Sequence, residues 1–141
     1  MLSLVVTADA ATTRAEFVAQ AEPYCASANR DINRLNKRFT RLNEKGHYGL
    51  AGQALKRTGT TLSASIAQVR SISPPPGDEQ TVSSWLALVD RIAGNNRRMG
   101  RAEAHRKFRR VFDLQLKNFL IRRQAHELVA DWGFQACVGG G

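Results

Sequence analysis

Three histidines, His47, His105 and His126, are the residues best suited to bind a metal ion or to transfer a proton. His105 and His126 fall on one predicted helix, about 31 Å apart along its axis at about 1.5 Å per residue, so they cannot share a metal ion. Glu44 and His47 have the E-x-x-H spacing of a di-iron ligand pair. Bundle di-iron sites need two such motifs and two further glutamates. The sequence therefore predicts no metal site and no cofactor.

Catalytic motifs are also missing from the sequence. It contains no G-x-S-x-G, no H-E-x-x-H, no P-loop, and no G-x-G-x-x-G after a strand. Gly46, Gly49 and Gly52 are interpreted as turn glycines. The 12 acidic residues form no evident core-facing pair of carboxylates of the kind that acid–base catalysis uses. We therefore predict that the protein is not an enzyme, and the sequence identifies no small-molecule substrate.

A cluster of cationic residues is the one feature that indicates binding. The chain carries 21 Lys and Arg against 12 Asp and Glu, a net charge of +9. Seven of these cations form what we call the basic block, which consists of Arg97, Arg98, Arg101, Arg106, Lys107, Arg109 and Arg110. Guanidinium groups bind phosphate and carboxylate through paired hydrogen bonds, so the block is suited to anionic lipid, an acidic wall polymer or nucleic acid. An equally open interpretation is a solvated bundle end whose alkyl stems cover apolar surface.

Aromatic side chains that would stack on bases are not expected beside the basic block. Phe108 and Phe112 follow the apolar stripe of the last predicted helix and are assigned to the core. No known nucleic-acid-binding motif occurs in the sequence. Any binding to nucleic acid is therefore predicted to be non-specific and to use phosphate contacts.

The elements that must position these residues are helices, because apolar residues recur every three or four positions and nowhere alternate. The first predicted helix spans 13–44 and opens with a capping box of Thr13 and Glu16. Pro23 predicts a kink or a fresh start near residue 22. The apolar stripe of this helix consists of Phe17, Ala21, Tyr24, Ala28, Ile32, Leu35, Phe39 and Leu42.

Three further helices are predicted, over 50–72, 79–99 and 101–132. The proline-rich segment 73–77 ends the second helix, Asp78 caps the third, and Gly100 closes it. The fourth helix is predicted to be the most apolar and the best buried. Its stripe consists of Phe108, Val111, Phe112, Leu114, Phe119, Ile121, Ala125, Leu128 and Trp132.

Four helices joined by short loops define the predicted fold class. This is an all-α, antiparallel up-down-up-down four-helix bundle over residues 12–137, with a C-terminal tail linked to helix one. A chain of 141 residues with 43% hydrophobic residues is long enough to bury the core of one such domain. Residues 138–141 are predicted to be a flexible Gly-rich end.

The two cysteines, Cys25 and Cys137, are predicted to form that link. In an antiparallel bundle with an even number of helices, the first helix begins where the last one ends. Cys25 lies about 18 Å into the first helix, and residues 133–137 can run back about 16 Å if extended. Gly133 is suited to turning the chain. A disulfide that closes so long a loop stabilises by about 4–5 kcal/mol in the chain-entropy model, and it is typical of an oxidising compartment.

Residues 1–11 do not resemble a folded element. Their apolar run ends in Ala8-Asp9-Ala10, a small-x-small pattern of the kind that signal peptidases cut. We interpret the segment as a signal-peptide remnant or a disordered tail. Together with the disulfide this favours an extracytoplasmic protein, secreted or associated with the cell envelope; the alternative is a cytoplasmic protein with two reduced cysteines.

The sequence resembles a group of uncharacterised small helical proteins that are exported or lipid-anchored in high-GC Gram-positive bacteria. The matching residues are Phe17, Ala21, Cys25, Pro75, Pro76, Gly77, Asp78, Glu79, Trp85, Leu86, Gly133, Phe134 and Cys137. This chain differs from that group in being rich in arginine and in showing no lipobox cysteine. The resemblance implies a helical fold and export, and it implies no activity.

Two functions are therefore expected from the sequence. The first is a non-enzymatic exported bundle that serves as a binding or structural module at the cell envelope, with its basic face on anionic lipid or wall polymer. The alternative is an intracellular basic bundle that binds nucleic acid or another polyanion non-specifically. A third interpretation is that the core or end of the bundle holds a small apolar ligand.

Overall fold

The computed structural model describes residues 12–137, which form four helices. These are α1 (Arg14–Glu44), α2 (Tyr48–Arg70), α3 (Glu79–Ala104) and α4 (Phe108–Leu128). They make the all-α antiparallel bundle that the sequence predicts, and the described part of the chain contains no strand. The predicted signal-peptide remnant at 1–11 and the predicted Gly-rich end at 138–141 lie outside the described residues.

Helix α1 begins at the predicted capping box. The Thr13 hydroxyl accepts a hydrogen bond from the backbone N–H of Glu16, and the Glu16 carboxylate accepts one from the N–H of Thr13, both at 3.1 Å. The helix then runs unbroken through Pro23, so the predicted fresh start near residue 22 is wrong. Proline removes one backbone hydrogen bond, and Ala21 and Ala28 on either side of it are buried in the core.

Helices α2 and α3 approach each other along a line of small residues. A Cβ atom on Gly52 would lie 2.3 Å from the carbonyl oxygen of Gly100, and one on Gly59 would lie 2.6 Å from that of Ala93. Only a residue without a side chain fits at these positions. Gly49 and Gly52 are residues of α2 rather than turn glycines, and Gly100 lies inside α3 rather than at its end.

The turn between α3 and α4 ends a helix without using glycine. Arg106 takes a φ of 56°, and the N–H of Lys107 donates a hydrogen bond of 2.8 Å to the carbonyl of Ala102. This is a Schellman arrangement, in which the left-handed residue is usually glycine. Because no glycine marks the stop, the sequence prediction places the boundary too early. Helix α3 continues to Ala104, and α4 begins at Phe108 rather than at residue 101.

Asp78 occupies the predicted N-cap position of α3, but its side chain does not cap the helix. Its carboxylate accepts two hydrogen bonds from the Arg14 guanidinium, at 2.7 and 2.8 Å, and these bonds lower the pKa of Asp78. The same guanidinium lies 3.7 Å from the Asp131 carboxylate and over the ring of Trp132. Arg14 thus connects the start of α1 to the start of α3 and to the segment after α4.

Two apolar clusters form the core. One lies near the chain ends and includes Phe17, Trp85, Val129, Trp132 and Phe134. The other lies towards the α3–α4 turn and consists of Leu55, Met99, Ala102, Val111 and Leu114. The interior between them is partly polar, because Asn118 accepts a hydrogen bond from Asn95 and donates one to Asn96, both at 2.9 Å. Each of these three side-chain amides therefore has a hydrogen-bond partner that offsets the cost of its burial.

Helix α4 departs most from the sequence prediction. It packs on α3, and within residues 12–137 no Cα atom of α4 lies within 8 Å of one in α1. One face is covered, and its buried residues are Val111, Leu114, Asn118, Ile121 and Ala125. Four residues predicted to lie in the core are exposed instead, namely Phe108, Phe112, Phe119 and Leu128. The prediction that the last helix is the best buried is therefore wrong, because α4 is apolar on two opposite sides and the bundle covers only one.

The second half of α1 is also less buried than the sequence predicts. The residues of its predicted core stripe in this half are only half-buried, namely Ile32, Leu35, Phe39 and Leu42. In a closed four-helix bundle the first and last helices would cover each other. Here they stand apart, and a cleft opens between them.

Candidate functional site

The C-terminal tail bridges α4 back to α1, and the predicted disulfide is confirmed. Cys25 and Cys137 are bonded, with Cα atoms 4.9 Å apart. Gly133 takes a φ of 88°, the left-handed conformation expected where the chain reverses. Phe134 then packs against Phe17 and stacks on Trp85, with ring centroids 6.3 and 5.1 Å away. Such a bridge is typical of proteins that fold in an oxidising, extracytoplasmic environment.

A carboxylate that the sequence analysis did not single out holds this tail. Glu22 accepts hydrogen bonds from the backbone N–H groups of Gln135 and Ala136, both at 2.8 Å, and from that of Cys137 at 3.4 Å. Asn29 donates a further bond of 2.8 Å to the carbonyl of Ala136. The only signal available was spacing, since Glu22 and Asn29 lie one turn before and one turn after Cys25 on the same side of α1.

The basic block straddles the α3–α4 turn, but its side chains do not form one surface. Arg97 points to α2, where it donates hydrogen bonds to the Gly59 carbonyl at 3.3 Å and the Ser63 hydroxyl at 2.8 Å. Arg98 donates to the Asn95 side chain at 3.3 Å. Arg98 is nevertheless exposed, as are the other five side chains, which form what we call the basic tip and consist of Arg101, Arg106, Lys107, Arg109 and Arg110.

Glu103 is the only acidic residue between Arg97 and Arg110, the first and last residues of the basic block, and its side chain points into the protein. Its side chain is 1% exposed, and Asn43 donates a hydrogen bond to it. Burial raises the pKa of Glu103, an effect that the bond from Asn43 opposes. The carboxyl is thereby withdrawn from the surface on which the cations lie, and the basic tip keeps its positive potential.

An exposed apolar stripe runs along the side of α4 that faces away from α3. We call it the outer face of α4, and it consists of Phe108, Phe112, Leu116, Phe119 and Leu120. The most exposed of these side chains, Phe112, has 64% of its surface in contact with solvent. The spacing of four, four, three and one puts them on one side of a helix. A contiguous apolar patch of this kind marks an interaction surface more often than an accident of composition.

Cations accompany this stripe. At about 100° per residue, Arg109 and Arg123 lie on the same side of α4 as the outer face, and both are exposed. The basic tip lies at the N-terminal end of the stripe. The sequence contained the signal for this surface, because the five apolar residues form a second stripe opposite Val111 and Leu114. Three of the five, Phe108, Phe112 and Phe119, were instead predicted to lie in the core.

A cleft between α1 and α4 is a concave feature of the described chain. It has a volume of about 480 Å³. Its floor comes from α2 and α3 and is mostly apolar, with Thr58, Ser65 and Asn96 as its polar residues. Its rim carries amides from α1 and the side chains of Gln115, Arg122 and His126 from α4. The tail closes one end, where Ala136 and Cys137 line it. Partial burial lowers the pKa of Arg122, although a guanidinium keeps its charge at any physiological pH.

Within residues 12–137, no three His, Cys, Asp or Glu side chains come together in a way that would hold a metal ion. None of the described helices combines the length and the apolarity needed to cross a bilayer. Among the described residues, the outer face of α4 with the basic tip and the cleft are the surfaces that we consider as candidate binding sites. Comparison with known proteins adds no further constraint, since no protein-family model, curated protein or solved structure matches this chain.

Proposed function

We propose that the protein is an exported, non-enzymatic helical bundle that binds anionic lipid at the surface of a cell-envelope membrane. The observation that carries the proposal is the outer face of α4, where five large apolar side chains are exposed beside exposed arginines. The same helix buries its opposite side against α3. It is therefore a fixed part of the bundle and presents a preformed surface.

A helix with this distribution lies in the plane of a membrane interface. Its apolar side enters the boundary between headgroups and acyl chains, and its cations contact lipid phosphates. Phenylalanine and leucine are suited to that depth, and arginine carries an apolar stem with a charged end that reaches the headgroups. Each Lys or Arg near an anionic leaflet contributes about 1 kcal/mol. The basic tip extends this electrostatic contact beyond the end of α4.

The disulfide supports export. A bond between Cys25 and Cys137 forms and persists where thiols are not kept reduced. The resemblance to exported helical proteins and the pattern at Ala8-Asp9-Ala10 favour the same location. A cell-envelope membrane is then the anionic surface that the protein meets.

Sedimentation with lipid vesicles tests this proposal. The protein should sediment with phosphatidylglycerol-containing vesicles and only weakly with phosphatidylcholine vesicles. Phe112→Ser with Phe119→Ser should lower the partition coefficient about tenfold or more, because each phenylalanine contributes about 1.5–3 kcal/mol when buried. Leu50→Ser is the matched control, since Leu50 is 45% exposed on a different helix. Equal partition of the double variant and the wild type would refute the role of α4.

The cations have their own control. Arg109→Gln with Arg123→Gln should weaken binding to anionic vesicles, whereas Arg70→Gln with Arg91→Gln removes the same charge from exposed positions elsewhere. If both pairs weaken binding equally, net charge is responsible, and the surface that we assign is wrong. Binding should also fall with salt for the wild type, since exposed charges are screened.

Single-stranded nucleic acid is a second candidate, because Phe108 and Phe112 are exposed next to Arg109 and Arg110. The sequence predicts both aromatics in the core, where they could not stack on bases, but both rings are exposed. Stacking platforms of single-strand binders combine aromatics with cations in this way. Leu116 and Leu120 continue the stripe without offering a stacking ring, which favours lipid. Fluorescence anisotropy with a labelled single strand and a duplex at ~50 mM salt separates the two functions.

A further inference from the structure

The cleft between α1 and α4 is a second site, on residues different from those of the proposed membrane surface. It exists because α4 packs on α3 and stays away from α1, while the tail and the disulfide connect the two helices at one end. Its volume of about 480 Å³ falls within the range of small-molecule sites, about 300–1,000 Å³. Its α1 wall runs from Cys25 to Thr40, about 22 Å at about 1.5 Å per residue.

The floor of the cleft favours a hydrocarbon. Apolar side chains that line it from α2 and α3 include Leu55, Leu62, Ile66, Leu86, Ile92 and Met99. The polar groups on the floor already have partners. The Thr58 hydroxyl donates to the Leu55 carbonyl at 2.6 Å, and Asn118 is bonded to two neighbouring asparagines. An extended peptide would leave its own backbone groups unpaired on such a floor, which is costly.

The rim of the cleft favours an anion. Arg122 lies on the α4 side, and within the described residues it makes no ion pair and no side-chain hydrogen bond. No Asp or Glu side chain lines the cleft. The α1 side supplies neutral amides from Asn33 and Asn36, and from Asn29, which already donates one hydrogen bond to the Ala136 carbonyl. These groups donate hydrogen bonds to a carboxylate or accept them from a hydroxyl.

We propose that the cleft binds a single-chain aliphatic anion, with the chain on the apolar floor and the anionic head at Arg122. A long-chain fatty acid is the simplest molecule of this class. The site is elongated and closed at the tail end, and it has one arginine on its rim. A single-chain carboxylate matches these features, because it is elongated and apolar and carries one negative charge at one end. This inference is independent of the proposed membrane surface, because no residue of the outer face of α4 lines the cleft.

The test is displacement of a fluorescent fatty-acid probe by monomeric palmitate, in the absence of vesicles. The wild type should bind palmitate and should bind octanoate much more weakly, because the short chain leaves much of the floor uncovered. Arg122→Gln should weaken palmitate binding about tenfold, the loss expected for one charge-assisted hydrogen bond. Arg123→Gln is the matched control, since Arg123 is the neighbouring arginine and does not line the cleft.

A neutral ligand separates the head from the chain. Binding of hexadecanol should be the same in the wild type and in Arg122→Gln, whereas Ile32→Gln on the α1 wall should weaken both ligands. The variant with Phe112→Ser and Phe119→Ser should keep its affinity for palmitate even if it loses vesicle binding. No displacement by palmitate at tens of micromolar, or equal palmitate affinity of the Arg122→Gln and Arg123→Gln proteins, would overturn the proposal.

Discussion

Gly52 and Gly100 face each other where α2 crosses α3. A Cβ atom on Gly100 would lie 2.4 Å from the carbonyl oxygen of Gly52, and the reverse distance is 2.3 Å. These contacts involve backbone atoms on both sides, so the neighbour cannot move aside as a flexible side chain would. The approach of these two helices depends on the absence of side chains at both positions.

We expect Gly100→Ala to destabilise the protein by about 1–3 kcal/mol, the usual cost of overpacking a well-packed interface. Gly94→Ala is the control within the same helix, because a Cβ there meets no atom within 4 Å. Alanine should stabilise that position by about 0.5–1 kcal/mol, since glycine is unfavourable inside a helix. Urea unfolding followed by circular dichroism measures both. A Gly100→Ala protein as stable as wild type would show that α2 and α3 are not in contact there.

The bridge between Cys25 and Cys137 should account for a large part of the stability. Cys137→Ser is expected to lower the free energy of unfolding by about 4–5 kcal/mol, because the disulfide closes a loop over 112 residues and restricts the unfolded chain. Reduction of the wild-type protein should produce the same loss, and the double variant Cys25→Ser with Cys137→Ser should match the single one. An unchanged unfolding midpoint after reduction would contradict the prediction.

Glu22 should hold the tail independently of the disulfide. We expect Glu22→Ala to cost about 1–3 kcal/mol, because it leaves the N–H groups of Gln135 and Ala136 without their acceptor. Hydrogen exchange at those two amides should speed up, while exchange at the centre of α2 stays slow. Gln20→Ala is the control, an exposed position on the same helix. Unaltered exchange of both tail amides would show that Glu22 does not bind them in solution.

The buried carboxyl of Glu103 should make stability depend on pH. Its pKa in the folded protein is raised above the ordinary value of 4.5, chiefly by burial. The folded state therefore binds the proton more tightly than the unfolded chain does. The contribution of Glu103 to the free energy of unfolding is fully present below the pKa that this carboxyl has in the unfolded chain. It is lost as the pH rises through the pKa that the carboxyl has in the folded protein.

Glu103→Gln removes this loss of stability at higher pH, because glutamine does not ionise. Its amide oxygen still accepts a hydrogen bond from Asn43. Its stability relative to wild type should therefore increase as the pH is raised from about 4 to 7. Glu127→Gln, at an exposed position on α4, should show no such trend. Parallel stability curves for wild type and Glu103→Gln over that range would mean that the carboxyl is not desolvated.

Local sequence signals predicted the parts of this fold that depend on neighbouring residues. Thr13 and Glu16 marked the start of α1, and Gly133 marked the reversal before the tail. The pairing of Cys25 with Cys137 followed from helix length and the parity of the bundle. Arg106 was missed because an arginine in the left-handed conformation carries no sequence signal, and the ends of α3 and α4 were misplaced with it.

The candidate sites were harder to predict because they depend on how the helices pack. The sequence does not show whether an apolar residue on α4 is covered by α3 or exposed to solvent. Phe112 and Phe119 were therefore assigned to a core that they do not enter. The number of helices predicted a bundle, but it did not determine whether α1 and α4 touch. The cleft, with Arg122 at its rim, follows from that packing alone.

The tail bridge also determines how the molecule responds to mechanical force. Tension applied to the chain outside residues 25 and 137 passes directly from Cys25 to Cys137 through the sulfur atoms, since they are covalently joined. Pulling extends the segment before Cys25, and it does not draw out the 112-residue loop that contains α2, α3, α4 and both walls of the cleft. The outer face of α4 and the cleft are thus not unfolded by such a force as long as the bridge is intact.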